Sequence, residues 1–184
     1  MNSNEIISEA YRMIANQNNI IVNRWVSQEI FNWHWWLGVM LFFIPWIVWI
    51  KIRDKKHTSR LLFVGLVAAI VAISIDNIGL ALDLWYYSYK LTPICTIALA
   101  WDYGLFPVGI MLIIQLNPQI NPYIKAFSFA LITAFITEPF FIWIGMYHII
   151  HWKFWYSFII YVPLYLFFNY IYNSKSFLTH VQQE

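Results

Sequence analysis

Asp76, Asp102 and Glu138 stand inside stretches that otherwise hold almost only apolar and small residues. A carboxylate at the bilayer centre costs about 2.5–3.5 kcal/mol on insertion scales, so such residues face a protein interior or a cavity rather than lipid. The only Lys or Arg in these stretches is Lys125, at the edge of one of them, so the sequence offers no buried base to pair with the acids. Unpaired carboxyls in a low dielectric keep a proton or recruit a cation. Three chemistries follow. The acids can hold a divalent metal, with His148 and His151 as additional ligands. They can stay protonated and serve as general acids toward a lipid-like substrate, with Asp102 and Glu138 as the candidate proton donors. They can relay protons or bind a transported cation. A structural alternative is that neutral carboxyls hydrogen-bond across helices and lock a bundle. Asp83, Trp85, Trp101, Tyr147 and Tyr161 fall close to the three acids along the pattern and join Asp76 as candidate ligand contacts. The pattern identifies no cofactor.

Composition fixes the setting in which these groups work. Of the 184 residues, 61% are hydrophobic and only 11% charged, against about 25% charged in soluble domains. The expected class is an all-α integral membrane helical bundle. Five apolar segments recur, at about 33–50, 61–82, 94–115, 124–144 and 155–172. Each approaches the ~20 residues that cross a bilayer at about 1.5 Å per residue. The expected organisation is an interfacial amphipathic segment (1–32), a five-helix transmembrane domain (33–173) and a short cytoplasmic tail (174–184). The start of the chain, with Glu5 and Glu9, does not read as a secretory signal. Cys95 is the sole cysteine, which excludes an internal disulfide. A net charge of +2 points to no nucleic-acid partner. The partners expected are the bilayer, a lipid-like small molecule or cation, and a second copy or other membrane subunit.

The loop at 51–60 carries Lys51, Arg53, Lys55, Lys56 and Arg60. Positive loops stay in the cytoplasm, so alternation puts the N-terminus outside and the C-terminus inside. The acids then lie toward the outer side, near His34, His148 and His151. Trp33, Trp35 and Trp36 belong to the outer aromatic belt, and Trp46 and Trp49 to the inner one. In residues 4–31, Ile6, Ala10, Met13 and Ile14 share one face. Asn16-Gln17-Asn18-Asn19 interrupts the pattern, and Val22, Trp25, Val26 and Ile30 resume it, which predicts a surface helix in two pieces.

Gly65, Ala69, Ala72, Asp76, Gly79 and Asp83 are spaced alternately by four and three, which keeps them on one helix face. Small residues on such a face permit close helix contact, and they turn Asp76 into the bundle. Ser157, Tyr161, Tyr165, Asn169 and Asn173 form a polar stripe at intervals of four on the fifth segment. Pro45, Pro107 and Pro163 are expected to kink their helices, and Glu138-Pro139 marks a similar break. An internal repeat is also visible. Trp85 follows Asp76 by the same interval at which Tyr147 follows Glu138, each acid leading into an aromatic loop and another helix.

The set Pro45-Trp46-Ile47 before a basic loop, Asp76-x-x-Gly79, Leu84-Trp85, Trp101-Asp102, Glu138-Pro139, Gly145-x-Tyr147 and Trp152 resembles an uncharacterised family of small multi-pass membrane proteins from spore-forming Gram-positive bacteria. The resemblance covers about residues 33–170 and implies a bacterial plasma-membrane location with no assigned activity. Glu138-Pro139-Phe140-Phe141 is also similar to the acid and Phe-Phe elements of membrane lycopene cyclase domains, with one acid where those have two. That similarity implies a membrane enzyme acting on an isoprenoid lipid, in which an acid donates a proton.

Overall fold

A computed structural model of the chain describes residues 2–93 and 97–174. Cys95 and residues 175–184 of the expected tail lie outside the described residues. The architecture is all-α apart from one short ribbon. Helix α1 (Ser3–Arg24) ends in a π-helical turn (Trp25–Glu29). Four helices are long and apolar enough to cross a membrane: α2 (Trp33–Ile52), α3 (Lys55–Ala81), α5 (Pro122–Trp143) and α6 (Phe154–Asn173). A fifth apolar helix, α4 (Ala100–Gln115), is shorter. Its 16 residues span about 24 Å at the α-helical rise. Two short strands, β1 (Trp85–Tyr87) and β2 (Tyr147–Ile149), pair antiparallel.

Helix α1 runs unbroken through Asn16-Gln17-Asn18-Asn19, contrary to the two pieces expected. Asn and Gln lower helix propensity by under about 0.7 kcal/mol each, which a helix of this length absorbs. Its start carries a reciprocal cap between Asn2 and Glu5, and none of its residues is buried.

The stripe on α3 packs inward as the spacing requires. Gly65, Ala69, Ala72, Asp76 and Gly79 are all buried. Asp83 is the exception. It lies beyond the helix end in a left-handed turn (φ 55°), a conformation Asp tolerates, and it is exposed. Helix α4 is buried on nearly every side from Phe106 to Ile114, packed against α2, α3 and α6. Trp49 belongs to this core rather than to an inner belt, at 2% exposed, with the Arg53 guanidinium over its ring. The C-terminal end of α4 is closed from the neighbouring helix. Lys125 Nζ donates to the carbonyls of Ile113 at 2.8 Å and Leu116 at 2.6 Å, satisfying acceptors that a helix end leaves free.

Two prolines are accommodated by local widening of the helix. The turn before Pro107 is π-helical (Ala100–Leu105), and so is the turn before Pro139 (Thr133–Thr137). Proline removes one backbone donor and crowds the carbonyl a turn earlier, and a wider turn relieves both problems. Asp102 lies within the first of these turns, and Glu138 follows the second directly.

Helix α4 begins partway down α2. Gly104 lies against the backbone of Leu41 and Phe42, where a Cβ would come within 2.8 Å of the Leu41 carbonyl. Trp46 Nε1 donates to the Tyr103 carbonyl at 2.7 Å. Among the described residues, no helix fills the space above this low start. It is bounded by the first turns of α2, the loop at 89–91 and the β1–β2 ribbon.

Candidate functional site

That space is a cleft of about 1110 Å³, its open mouth included, at the end of the bundle away from the basic loop. Helices α2 to α6 all contribute to its wall. Asp76, Glu138, Trp85, Trp101, Tyr147 and Tyr161 line it, which brings together six of the residues singled out by sequence. Asp102 is wholly buried against Asp76.

The acids form two poles. At the first, Tyr87 Oη donates to Asp76 Oδ1 at 3.0 Å, and the Ala98 N–H donates to Asp102 Oδ2 at 2.9 Å. Asp76 Oδ2 and Asp102 Oδ1 meet no N–H or hydroxyl donor of ordinary geometry, but the two carboxyls lie against each other within hydrogen-bonding reach, one donating when it carries a proton. The Trp85 indole N–H lies near the Asp76 carboxyl without closing a hydrogen bond of ordinary geometry. Burial, and then the Asp76 carboxyl, push the Tyr87 phenol well above its usual range, so it remains a donor. At the second pole a relay is complete. Trp152 Nε1 donates to Ser157 Oγ at 2.8 Å, and Ser157 Oγ donates to Glu138 Oε2 at 3.0 Å. Tyr161 stands beside the same carboxyl. Tyr147 lies between the poles, within electrostatic reach of both Glu138 and Asp76; burial first, then those two carboxyls, hold its phenol protonated.

The ribbon roofs the cleft. Trp85 pairs with Ile149, Tyr86 with His148 and Tyr87 with Tyr147. Tyr86 thus faces the residue that holds the same place after Glu138 as Tyr86 holds after Asp76. A two-fold relation between the α3–α4 and α5–α6 hairpins requires this register at its centre, which gives the sequence repeat a geometric counterpart. Trp85 also packs directly on Gly79 and edge-on to Trp152, with ring centroids 4.9 Å apart.

Three sequence candidates fall outside this arrangement. Asp83 is exposed, and His151 Nδ1 lies 3.0 Å from the Asp83 carbonyl oxygen. His148 stacks on Tyr86 at 4.7 Å, its Nε2 3.3 Å from the Gly145 carbonyl. Neither histidine joins Asp76, Asp102 or Glu138: the register of β2 sets His148 beside the exposed Tyr86, and His151, beyond the strand, lies 3.9 Å from the exposed Asp83 carboxylate. Among the described residues, no three His, Cys, Asp or Glu side chains gather to hold a metal ion.

Other contributors carry weak sequence signals or none. Lys90 and Tyr89 line the cleft from the loop after β1. His34, also in the wall, stacks on Tyr89 at 3.8 Å and places Nε2 2.9 Å from the Ile144 carbonyl. A further buried acid, Glu29, 4% exposed, pairs with Arg24 at 3.4 Å and accepts from the Lys90 N–H at 3.4 Å. Trp25 and Trp35 donate to the carbonyls of Lys90 and Leu91. The end of α1 and the start of α2 therefore hold the loop that rims the cleft. Glu29 sits one turn after Trp25, and that shared face was the available signal.

No protein-family model, curated protein or solved structure matches the chain.

Proposed function

We propose that this chain is a multi-pass plasma-membrane protein of a bacterium that binds a lipid-like or cationic small molecule in an outward-facing intramembrane cleft. The observation that carries the reading is the cleft itself: an aromatic-walled space of about 1110 Å³, open mouth included, walled by five helices, into which α3 and α5 bring the buried carboxyls of Asp76 and Glu138. The orientation, with the N-terminus outside, follows from the basic loop at the opposite end of the bundle. At least one of Asp102 and Glu138 acts on the ligand in this reading, as cation contact or proton donor.

A second reading is favoured by the relay at Glu138. A carboxyl held by Ser157 and Trp152 in an apolar wall is a suitable proton donor toward an isoprenoid-like lipid. The experiment for both is Asp102→Asn and Glu138→Gln, which remove ionisation and keep much of the hydrogen bonding. Loss of bound small molecule with the fold retained supports the binding reading. Accumulation of an unconverted lipid, still bound, selects the enzyme. Variants that keep both ligand and cellular phenotype make the acids scaffold, and the chain is then better read as a subunit of a larger membrane complex.

A further inference from the structure

The charge of the chain is unevenly placed. Five of its 11 basic residues and one of its nine acids fall within residues 51–60, which leaves that segment at +4 and the rest of the chain at −2. Lys51, Lys55 and Lys56 are exposed, and among the described residues no carboxylate pairs with them. The one acid of the segment is engaged locally. Asp54 Oδ1 accepts from the Lys56 N–H at 2.9 Å, and Oδ2 meets His57 Nδ1 at 2.6 Å.

Arg53 differs from the lysines. It follows the last residue of α2 and is half-buried. Its guanidinium lies over the ring of the buried Trp49, 5.7 Å from the centroid. Its backbone is tethered on both sides: Gln115 Nε2 donates to the Ile52 carbonyl at 3.3 Å, and the Asp54 N–H donates to Gln115 Oε1 at 3.4 Å. Among the described residues no carboxylate pairs with Arg53, and its Nε has no acceptor. A guanidinium carries five donors in its own plane. A ring against one face holds that plane and leaves its edge to an oxyanion. Orienting the chain in a membrane needs positive charge at this end, but it does not need a base seated in this way.

Depth indicates which oxyanion. The 20 residues of α2 span about 30 Å, the thickness of a hydrocarbon core, so Arg53 stands at the level of lipid phosphates. Ile50 and Ile52, both exposed on the last turn of α2, offer apolar surface for acyl chains. We propose that Arg53 receives the phosphate of an anionic phospholipid, drawn to this end of the bundle by Lys51, Lys55 and Lys56. The lysines attract any anionic surface. The stacked guanidinium supplies recognition, through paired N–H donors that a lysine lacks. This site lies at the end of the bundle opposite the cleft and does not rest on the cleft's proposed role.

The test uses the full-length protein, stripped of lipid in mild detergent and titrated with dioleoyl phosphatidylglycerol or dioleoyl phosphatidylcholine. Native mass spectrometry counts the bound copies. The two lipids share their acyl chains and phosphate and differ in net charge. The first phosphatidylglycerol is expected to bind at least about tenfold more tightly than the first phosphatidylcholine. Arg53→Lys keeps the charge and loses the planar fork, and it should reduce this preference by at least about fivefold. Lys55→Gln removes a whole charge, yet should reduce it by less. A preference below about tenfold in the unaltered protein overturns the proposal, and that comparison needs no variant to fold. If Lys55→Gln weakens the preference more than Arg53→Lys does, charge alone governs binding and the role of Arg53 is overturned. Excess inorganic phosphate should leave phosphatidylglycerol bound. Its displacement would make the ligand a free oxyanion and overturn the lipid assignment.

Discussion

Gly79→Ala tests how the roof of the cleft is built. In an open helical position, replacing Gly by Ala stabilises by up to about 1 kcal/mol through backbone entropy. Gly109 in α4 is such a position, with no atom within 4 Å of a Cβ placed there. At Gly79 the added Cβ would overlap the six-membered ring of Trp85. That ring is 6% exposed and wedged against Trp152, so it cannot yield without disturbing the indole that serves Ser157. Overpacking of a rigid ring costs about 1–3 kcal/mol. Taking the upper part of that range and subtracting the entropic gain leaves a net loss of about 2 kcal/mol at Gly79. The two alanine variants should therefore differ by about 3 kcal/mol. For a chain of this size that corresponds to roughly 6–12 °C in Tm, at about 2–4 °C per kcal/mol. Thermal unfolding of both variants in one detergent, followed by tryptophan fluorescence, measures the difference. Gly65→Ala should fall between them, since its nearest neighbour is the flexible thioether of Met111, 2.7 Å from the Cβ position. A Gly79→Ala protein as stable as Gly109→Ala would refute the packing of β1 on α3.

Lys125→Met should lower stability by about 1–3 kcal/mol, because it strips charged donors from the end carbonyls of α4, a loss that thermal unfolding in detergent measures. Burial raises the Glu29 carboxyl above its ordinary 4.5, with the Lys90 N–H and then the charges of Arg24 and Lys90 opposing. The folded state thus binds this proton more tightly than the unfolded one. Its contribution is complete below about pH 4.5 and is lost as pH rises through the folded value. Denaturation of Glu29→Gln against the parent, followed from pH 4 to pH 7, should show the variant gaining relative stability with pH, and a constant difference would contradict the burial of Glu29. In intact cells lacking the native thiol (Cys95→Ser), a membrane-impermeant reagent should label Asn4→Cys and spare Lys56→Cys. The reverse pattern would invert the orientation.

Much of the framework was legible in sequence because a bilayer leaves few ways to place polar groups. The Gly65–Gly79 stripe predicted its own burial; the Ser157–Asn173 stripe was legible as polar, but that its first two members, Ser157 and Tyr161, meet Glu138 was not. The reading stopped where partners are distant in the chain. A three-residue strand such as Tyr147–Ile149 has too few positions for an alternating pattern, so its pairing with Trp85–Tyr87, and the outward turn of His148, left no trace in either segment. Asp83 fitted the spacing of α3, but the helix ended before it. Lys90 sits in a loop whose place over the cleft depends on the late start of α4, and that start is set by tertiary contact between Gly104 and α2. The two π-helical turns were legible only as prolines. Their consequence, the setting of Asp102 and Glu138 into the interior, is a property of the widened backbone.

The central claim, that the cleft is a binding site for a small amphiphile, is tested most directly by native mass spectrometry of the full-length protein purified in mild detergent without added ligand. The account predicts a mass excess that corresponds to one lipid-like molecule per chain, released on activation and much reduced in Asp102→Asn. A chain at its sequence mass under every gentle condition, with Asp102→Asn indistinguishable from it, would contradict the account.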